Sequence, residues 1–259
     1  MSTRDQTDPC TPHPRPRLGW VVDVQHDFMV PPQRGGRLYV HDLADPGDAG
    51  ATRIERALAR TVAWMSAHCD ALVYTGDWHA DDDREIDRAS PNFRDTYPAH
   101  CMGAGADPAE RPGAELIPAV APHGALAVVD REATPADADR AARAAAAGTP
   151  VMIRKREFSV FAGQAQTDRF LATLAEALGG RPEIIVCGVA TDVCVKGAVE
   201  GFLDRGHAVT VVRDAVWGLG LVPDAELFAG WERRGARIAR LAELAAERGA
   251  VAGASARGA

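Results

Sequence analysis

Hydrophobic and polar positions follow two rhythms along this chain. Short, nearly continuous apolar runs rich in Val and Ile recur at residues 18–24 (LGWVVDV), 71–77 (ALVYTGD), 125–130 (ALAVVD), 150–155 (PVMIRK), 183–188 (EIIVCG), 207–214 (HAVTVVRD) and, more weakly, 236–241 (ARIARL). Between them lie longer Ala- and Leu-rich segments with charges at helical spacing: ATRIERALARTVAWMSAHC, PADADRAARAAAAG, TDRFLATLAEALGG, DVCVKGAVEGFLDRG and DAELFAGWERRG. Strand-like runs alternating with helix-like segments read as βαβ units. Runs that are apolar throughout, rather than at every second position, suit a parallel sheet covered on both faces. The predicted fold is therefore α/β: a single-domain, doubly wound (Rossmann-like), mostly parallel sheet of about six strands with helices on both faces. Several helical segments end in Gly, a common C-terminal stop.

The pattern also sets boundaries. Residues 1–17 are polar and Pro-rich, and residues 246–259 are mostly small; a disordered N-terminal extension and a flexible tail are expected around one domain at 18–245. The 259 residues are 46% hydrophobic, ample for one substantial core. A net charge of −7 argues against the broad basic footprint of a nucleic-acid binder. No apolar run approaches the roughly 20 residues that span a bilayer, and the N-terminus has no apolar h-region. The expectation is a cytoplasmic protein with a small-molecule partner, no nucleic acid and no membrane. Its five cysteines (Cys10, Cys69, Cys101, Cys187 and Cys194) are odd in number and scattered, so free thiols are expected.

Ligands of open parallel sheets bind beyond the carboxyl ends of the strands. The polar residues at those ends are Asp23, Gln25 and Asp27; Asp77 and His79; Lys155; the stretch from Cys187 to Cys194; and Asp214. They fall into spaced motifs: D-x-Q-x-D-F at 23–28, D-W-H at 77–79, P-x-H-C at 98–101, K-x-x-x-S-x-F at 155–161 and G-V-A-T-D-x-C-V at 188–195. In this order, over roughly residues 18–242, the chain resembles the isochorismatase-like cysteine hydrolases, in particular their nicotinamidase-like branch. The resemblance implies a catalytic triad of Asp23, Lys155 and Cys194, with Cys194 the nucleophile. It implies a cis peptide between Val189 and Ala190, and an oxyanion hole made by the backbone amides of Ala190 and Cys194, worth about 3 kcal/mol per donor. It further implies a divalent metal ion, zinc first and iron or manganese as alternatives, held by Asp77, His79 and His100. Glu85 is the nearest match for a fourth ligand, with Asp83 and Asp87 as alternatives. Phe28 and Tyr97 would sandwich the substrate ring. The implied reaction is hydrolysis of a small carboxamide, nicotinamide first, to the acid and ammonia. A homo-oligomer is expected.

The residue chemistry is consistent with this. A thiol of pKa about 8.5 becomes a thiolate beside a cation or at a helix N-terminus, and Cys194 has candidates for both. Asp23 suits a general base. One carboxylate and two imidazoles suit zinc, iron or manganese, and the two-residue spacing of Asp77 and His79 puts both on one side of an extended segment. Simpler readings stand beside these: Cys187 as apolar filler, Asp23 and Lys155 as a structural ion pair, the metal residues as a hydrogen-bonded surface cluster, and Phe28 and Tyr97 as core. Trp78 and Trp217 read as packing. A Cys187–Cys194 redox pair lacks the C-x-x-C spacing. Rival functions are a related amidase for a carbamoyl compound, maleamate or a lactam; a vinyl-ether-cleaving isochorismatase; and a non-catalytic binding relative. The chain departs from its relatives in the long run HCMGAGADPAERPGAE and in an insertion at about 121–149, read as an extra strand and helix, a lid or an oligomer contact. Both are expected near the substrate entrance.

Overall fold

In the computed structural model, which describes residues 15–247, the apolar runs form seven strands. These are β1 (Arg17–Val22), β2 (Ala71–Asp77), β3 (Ala127–Val129), β4 (Val151–Lys155), β5 (Glu183–Val189), β6 (Val209–Trp217) and β7 (Arg237–Ala239). They make one sheet in the order β3-β4-β2-β1-β5-β6-β7, every neighbouring pair parallel. The sheet holds seven strands where about six were expected, because the weak run at 236–241 also pairs, as the edge strand β7 alongside β6. Among the described residues, the helices include α1 (His26–Met29), α2 (Glu55–His68), α3 (Pro135–Ala146), α4 (Val160–Gly163), α5 (Thr167–Ala177), α6 (Lys196–Asp204) and α7 (Asp224–Arg233).

Side chains of successive strand residues face opposite sides, so the continuous apolar runs feed two cores. On one side Leu18, Trp20 and Val22 pack with Phe170 and Leu174 of α5 and Phe202 of α6. Trp20 meets Phe202 edge-on at 4.9 Å between centroids. On the other side Val21, Tyr74 and Cys187 pack with Leu58, Val62 and Met65 of α2. Each such side chain contributes about 1.5–3 kcal/mol of burial.

The insertion is the predicted extra strand and helix. Pro135 opens α3, and Thr134 and Asp137 close a capping box on it. Its Ala138, Ala141, Ala142 and Ala145 are buried, and Asp139 is paired with Arg169 of α5. Two boundaries shift. Arg17, assigned above to the extension, opens β1. The helix expected from residue 192 begins as a π turn, Thr191–Val195, before α6. Of the predicted extension and tail, residues 1–14 and 248–259 lie outside the described residues. Among the described residues no helix is long and apolar enough to cross a membrane.

One glycine fixes the approach of β5 to β1. Gly188 has φ +128°, and a Cβ there would sit 2.0 Å from the Val22 carbonyl oxygen, a backbone geometry open only to Gly. The strand order changes direction beside β1, and the candidate site lies at that switch point.

Candidate active site

Three strand ends meet around Lys155. Asp23 follows β1 with φ +50°, a left-handed conformation that Asp tolerates better than most residues. Its Oδ1 accepts a hydrogen bond from Thr75 Oγ1 (2.6 Å), and its Oδ2 lies 2.9 Å from Lys155 Nζ. Lys155 is paired in register with Asp77 across β2 and β4, and its ammonium also pairs with Asp77 Oδ1. Cys194, in the π turn, has its Sγ 3.9 Å from Lys155 Nζ. All four side chains are buried. The Val189–Ala190 peptide is cis.

The electrostatics differ from the sequence expectation in one respect. Burial opposes the Lys155 charge, but Asp23, Asp77 and Cys194 outweigh it and hold the ammonium well above its usual value. Burial lifts Asp23, with Lys155 pulling the other way. Burial likewise raises the Cys194 thiol, and the Asp23 and Asp77 carboxylates add to this against the single cation. Burial and the two carboxylates thus favour the thiol, and the Lys155 ammonium alone favours the thiolate. Asp23 Oδ2 is buried with no aligned hydrogen-bond donor, which leaves it open to the thiol proton.

Beside this group, His79 Nε2 and His100 Nε2 each lie 3.9 Å from Asp77 Oδ2. One ligand atom from each of the three residues falls within 4.8 Å of the others, and all three are buried, so they are not a surface cluster. The partners of the far nitrogens set the tautomers. His79 Nδ1 donates to Asp83 Oδ2 (3.3 Å) and His100 Nδ1 to the Pro98 carbonyl (2.8 Å), so both Nε2 lone pairs point inward. His79 Nε2 is buried without a partner. Burial, with His79 adjacent, lowers His100 to about 4 and keeps it neutral. An orphaned imidazole nitrogen beside a second imidazole and a carboxylate fits a divalent ion. Asp23, Asp77 and Cys194 also cluster at ligand spacing, but there the Lys155 ammonium already supplies the positive charge.

Glu85 does not join the converging set. One oxygen accepts from Phe158 N (3.0 Å), the other is buried and unpartnered, and burial together with Asp77 raises the carboxyl to about 8. Asp83 stands behind His79, and Asp87 receives the amides of Ala89 (3.0 Å) and Ser90 (2.9 Å).

The D-x-Q-x-D-F motif turns out to serve every polar position. Gln25 Nε2 donates to the carbonyls of Asp77 and Ala114 (2.7 Å each), and its Oε1 accepts from Asp77 N (2.8 Å). Asp27 Oδ2 accepts from Cys101 N (2.7 Å), next to His100. Phe28 reaches a narrow slot lined also by Asp77, His100, Ala190 and Cys194. Tyr97 lines it too, as do Phe158 and Leu219, which were not anticipated. Tyr97 and Phe158 meet edge-on at 5.4 Å. Phe158, three residues beyond Lys155, was legible only as an apolar residue following a charged strand end. Asp192 binds the loop carrying Leu219, accepting from the amides of Leu219 (2.9 Å) and Leu221 (2.7 Å).

The remaining candidates separate. Cys187 is buried against α2, its thiol raised by burial, and it is not disulfide-bonded to Cys194. Trp78 lies under the Arg154 guanidinium at 3.6 Å, and Trp217 Nε1 donates to Asp48 Oδ2 (3.1 Å), as packing residues do. Asp214 accepts from Leu241 N (3.0 Å) and does not line the slot. Neither residues 121–149 nor the long run after His100 lines the slot itself.

A parallel sheet carrying Asp, Lys and Cys at its strand ends places the protein among the α/β enzymes whose chemistry sits at the carboxyl edge of the sheet. The isochorismatase domain matches residues 20–243, and the chain belongs to the isochorismatase family. It is 24% identical over 243 residues to the nicotinamidase of Escherichia coli K12, covering 88% of this chain and 96% of that one. Two solved structures share the fold. The pyrazinamidase of Pyrococcus horikoshii in complex with zinc has a TM-score of 0.58 at 23% identity, over 87% of this chain and 99% of that one. The N-carbamoylsarcosine amidase of Thermoplasma acidophilum has 0.55 at 22%, over 87% and 96%.

Proposed function

We propose that the protein is a metal-containing cysteine amidohydrolase that converts a small carboxamide, nicotinamide first, to its acid and ammonia through a thioester. Its amidase relatives make it a hydrolase acting on the C–N bonds of amides. The observation that carries the mechanism is the placement of Lys155 Nζ 2.9 Å from Asp23 Oδ2 and 3.9 Å from Cys194 Sγ, with all three buried.

Asp23 takes the proton of the Cys194 thiol as Sγ attacks the amide carbonyl carbon, and Lys155 holds the combined negative charge in place. The backbone amides of Ala190 and Cys194 receive the oxyanion, each donor worth about 3 kcal/mol. Asp23 then returns the proton to the leaving nitrogen, ammonia departs and a thioester remains. Asp23 deprotonates a water, which attacks the thioester carbonyl; the acid leaves and the thiol is regenerated. Asp77, His79 and His100 would hold a divalent ion, zinc foremost, whose chemistry there is a Lewis-acid contact for a substrate donor atom such as a ring nitrogen. Phe28, Tyr97 and Phe158 favour a flat ring, at about 0.5–1.5 kcal/mol per aromatic contact.

A second reading, a sibling amidase for a longer polar amide, draws on one feature. A recess of about 150 Å³ lined by Arg84, Glu85, Asp95 and Glu157 shares Phe158 with the slot. Ammonia release measured with nicotinamide, maleamate and a carbamoyl compound decides between the two. The first reading expects nicotinamide to have the highest kcat/KM; preference for another amide selects the second, and no ammonia from any of them overturns both.

A further inference from the structure

The segment 121–149 does not line the slot, yet it reaches the candidate metal ligands through one side chain. Arg131, just after β3, extends its guanidinium across to the loop that follows β2. Its Nη1 donates to the Trp78 carbonyl (2.8 Å) and to Asp83 Oδ2 (2.8 Å), and its Nη2 donates to Asp83 Oδ1 (2.7 Å). Asp83 Oδ2 also accepts from His79 Nδ1 (3.3 Å) and from Ala80 N (2.9 Å). One guanidinium thus grips the residue between Asp77 and His79 and, at the same time, the carboxylate that orients the His79 ring. Only 11% of the Arg131 side chain and 8% of that of Asp83 is exposed, so this is a shielded, two-pronged pair and not a surface contact.

The near end of the brace is anchored as well. Asp130 Oδ1 accepts from Arg131 N (2.7 Å), Asp130 Oδ2 from Arg154 Nη1 (3.0 Å), and the Asp130 carbonyl from Gln164 Nε2 (2.7 Å). Arg154 in turn covers the Trp78 ring. The turn after β3 is therefore tied to β4 and α4 before it touches the metal loop.

We infer that Arg131 is a positioning residue of the metal centre, acting through Asp83 to fix the His79 ring, and that the inserted segment serves as its brace. This deepens the metal-binding part of the proposed function and rests on it. Partners behind a ligating histidine fix its tautomer and ring angle, and losing one costs about 10–100-fold in metal affinity.

The test is the zinc affinity of the purified full-length protein, measured by competition with a chromophoric chelator, for wild type, R131M, R131K, D83A and the D83A/R131M double variant. R131M is expected to bind zinc about 10–100-fold more weakly than wild type, with kcat restored by saturating zinc. R131K, which keeps the charge without the two-pronged grip, falls between them. If Arg131 acts through Asp83, the double variant loses no more than D83A alone. R131M affinity within twofold of wild type overturns the inference, as do losses that multiply in the double variant. If R131M does not fold, wild-type affinity in R131K overturns it. Zinc binding that persists in H79A sinks the metal reading itself, a result distinct from any of these.

Discussion

The two halves of the site occupy adjoining space and are ordered by different means. Asp23, Asp77 and Lys155 sit at or next to the ends of β1, β2 and β4, where the ladder sets their spacing: Asp77 faces Lys155 in register, and Asp23 N bonds to the Thr75 carbonyl at 3.2 Å. Two hydrophobic cores hold those strands, so many side chains share the work. His79 and His100 lie outside any strand. Backbone bonds at His79 (its N to the Cys101 carbonyl, 2.9 Å) and side-chain bonds together hold their loops: Gln25 on Asp77 and Ala114, Asp27 on Cys101, and Asp83 with Arg131 on His79. The difference teaches that a single polar substitution is felt mainly at the metal side, whereas the Asp–Lys–Cys side yields only to loss of its own charges or of the core.

The comparison can be tested in order of effect. C194A should reduce ammonia release by about 10⁴–10⁶-fold with an unchanged circular dichroism spectrum, since members of a catalytic unit act together. Retained turnover would remove the nucleophile. In the wild type, the base must be unprotonated, and burial raises Asp23 above its ordinary 3.8. As pH falls, kcat/KM should therefore drop through a value above 3.8; an acid limb at or below it contradicts the assignment of Asp23.

K155M leaves two buried carboxylates without their cation, and should cost about 3–5 kcal/mol of stability in urea unfolding. An unchanged midpoint would show that Lys155 is not the electrostatic centre joining the two halves. Q25A strands the carbonyls of Asp77 and Ala114 and the amide of Asp77. It should lower stability by about 1–3 kcal/mol and weaken zinc binding; a stability loss with zinc affinity intact would break the claim that side-chain braces order the metal side. The smallest effect is expected for F158A. Loss of one ring contact, about 0.5–1.5 kcal/mol, should raise KM for nicotinamide several-fold and leave kcat near wild type. A fall in kcat alone would move Phe158 from substrate contact to scaffold.

Much of the fold could be read along the chain because a strand covered on both faces has to be apolar at every position, and seven such runs stand out. The order of the strands could not, because it depends on which face each crossover helix takes; the weak run at 236–241 became the edge strand β7 of a sheet expected to hold about six. The apolar runs put Asp23, Asp77 and Lys155 at strand ends; the resemblance joined Cys194 to Asp23 and Lys155 and made Asp77, His79 and His100 a candidate ligand set. Phe158 and Leu219 were invisible as slot residues, since an apolar residue in a loop looks the same whether it faces a ligand or a core. Asp83 and Arg131 are 48 positions apart, beyond any local pattern.

What the order of residues carries by itself is therefore the list of reacting groups and the strand ends from which they come. A charged or nucleophilic residue following an apolar run declares both its chemistry and its place. Tertiary structure alone decided the balance among those groups. Whether Cys194 rests as thiol or thiolate depends on burial and on two carboxylates set against one ammonium. Whether His79 points a lone pair into the site depends on Asp83 and on the arginine behind it. Both are sums over neighbours brought together by folding, and such sums have no signature in any one stretch of sequence.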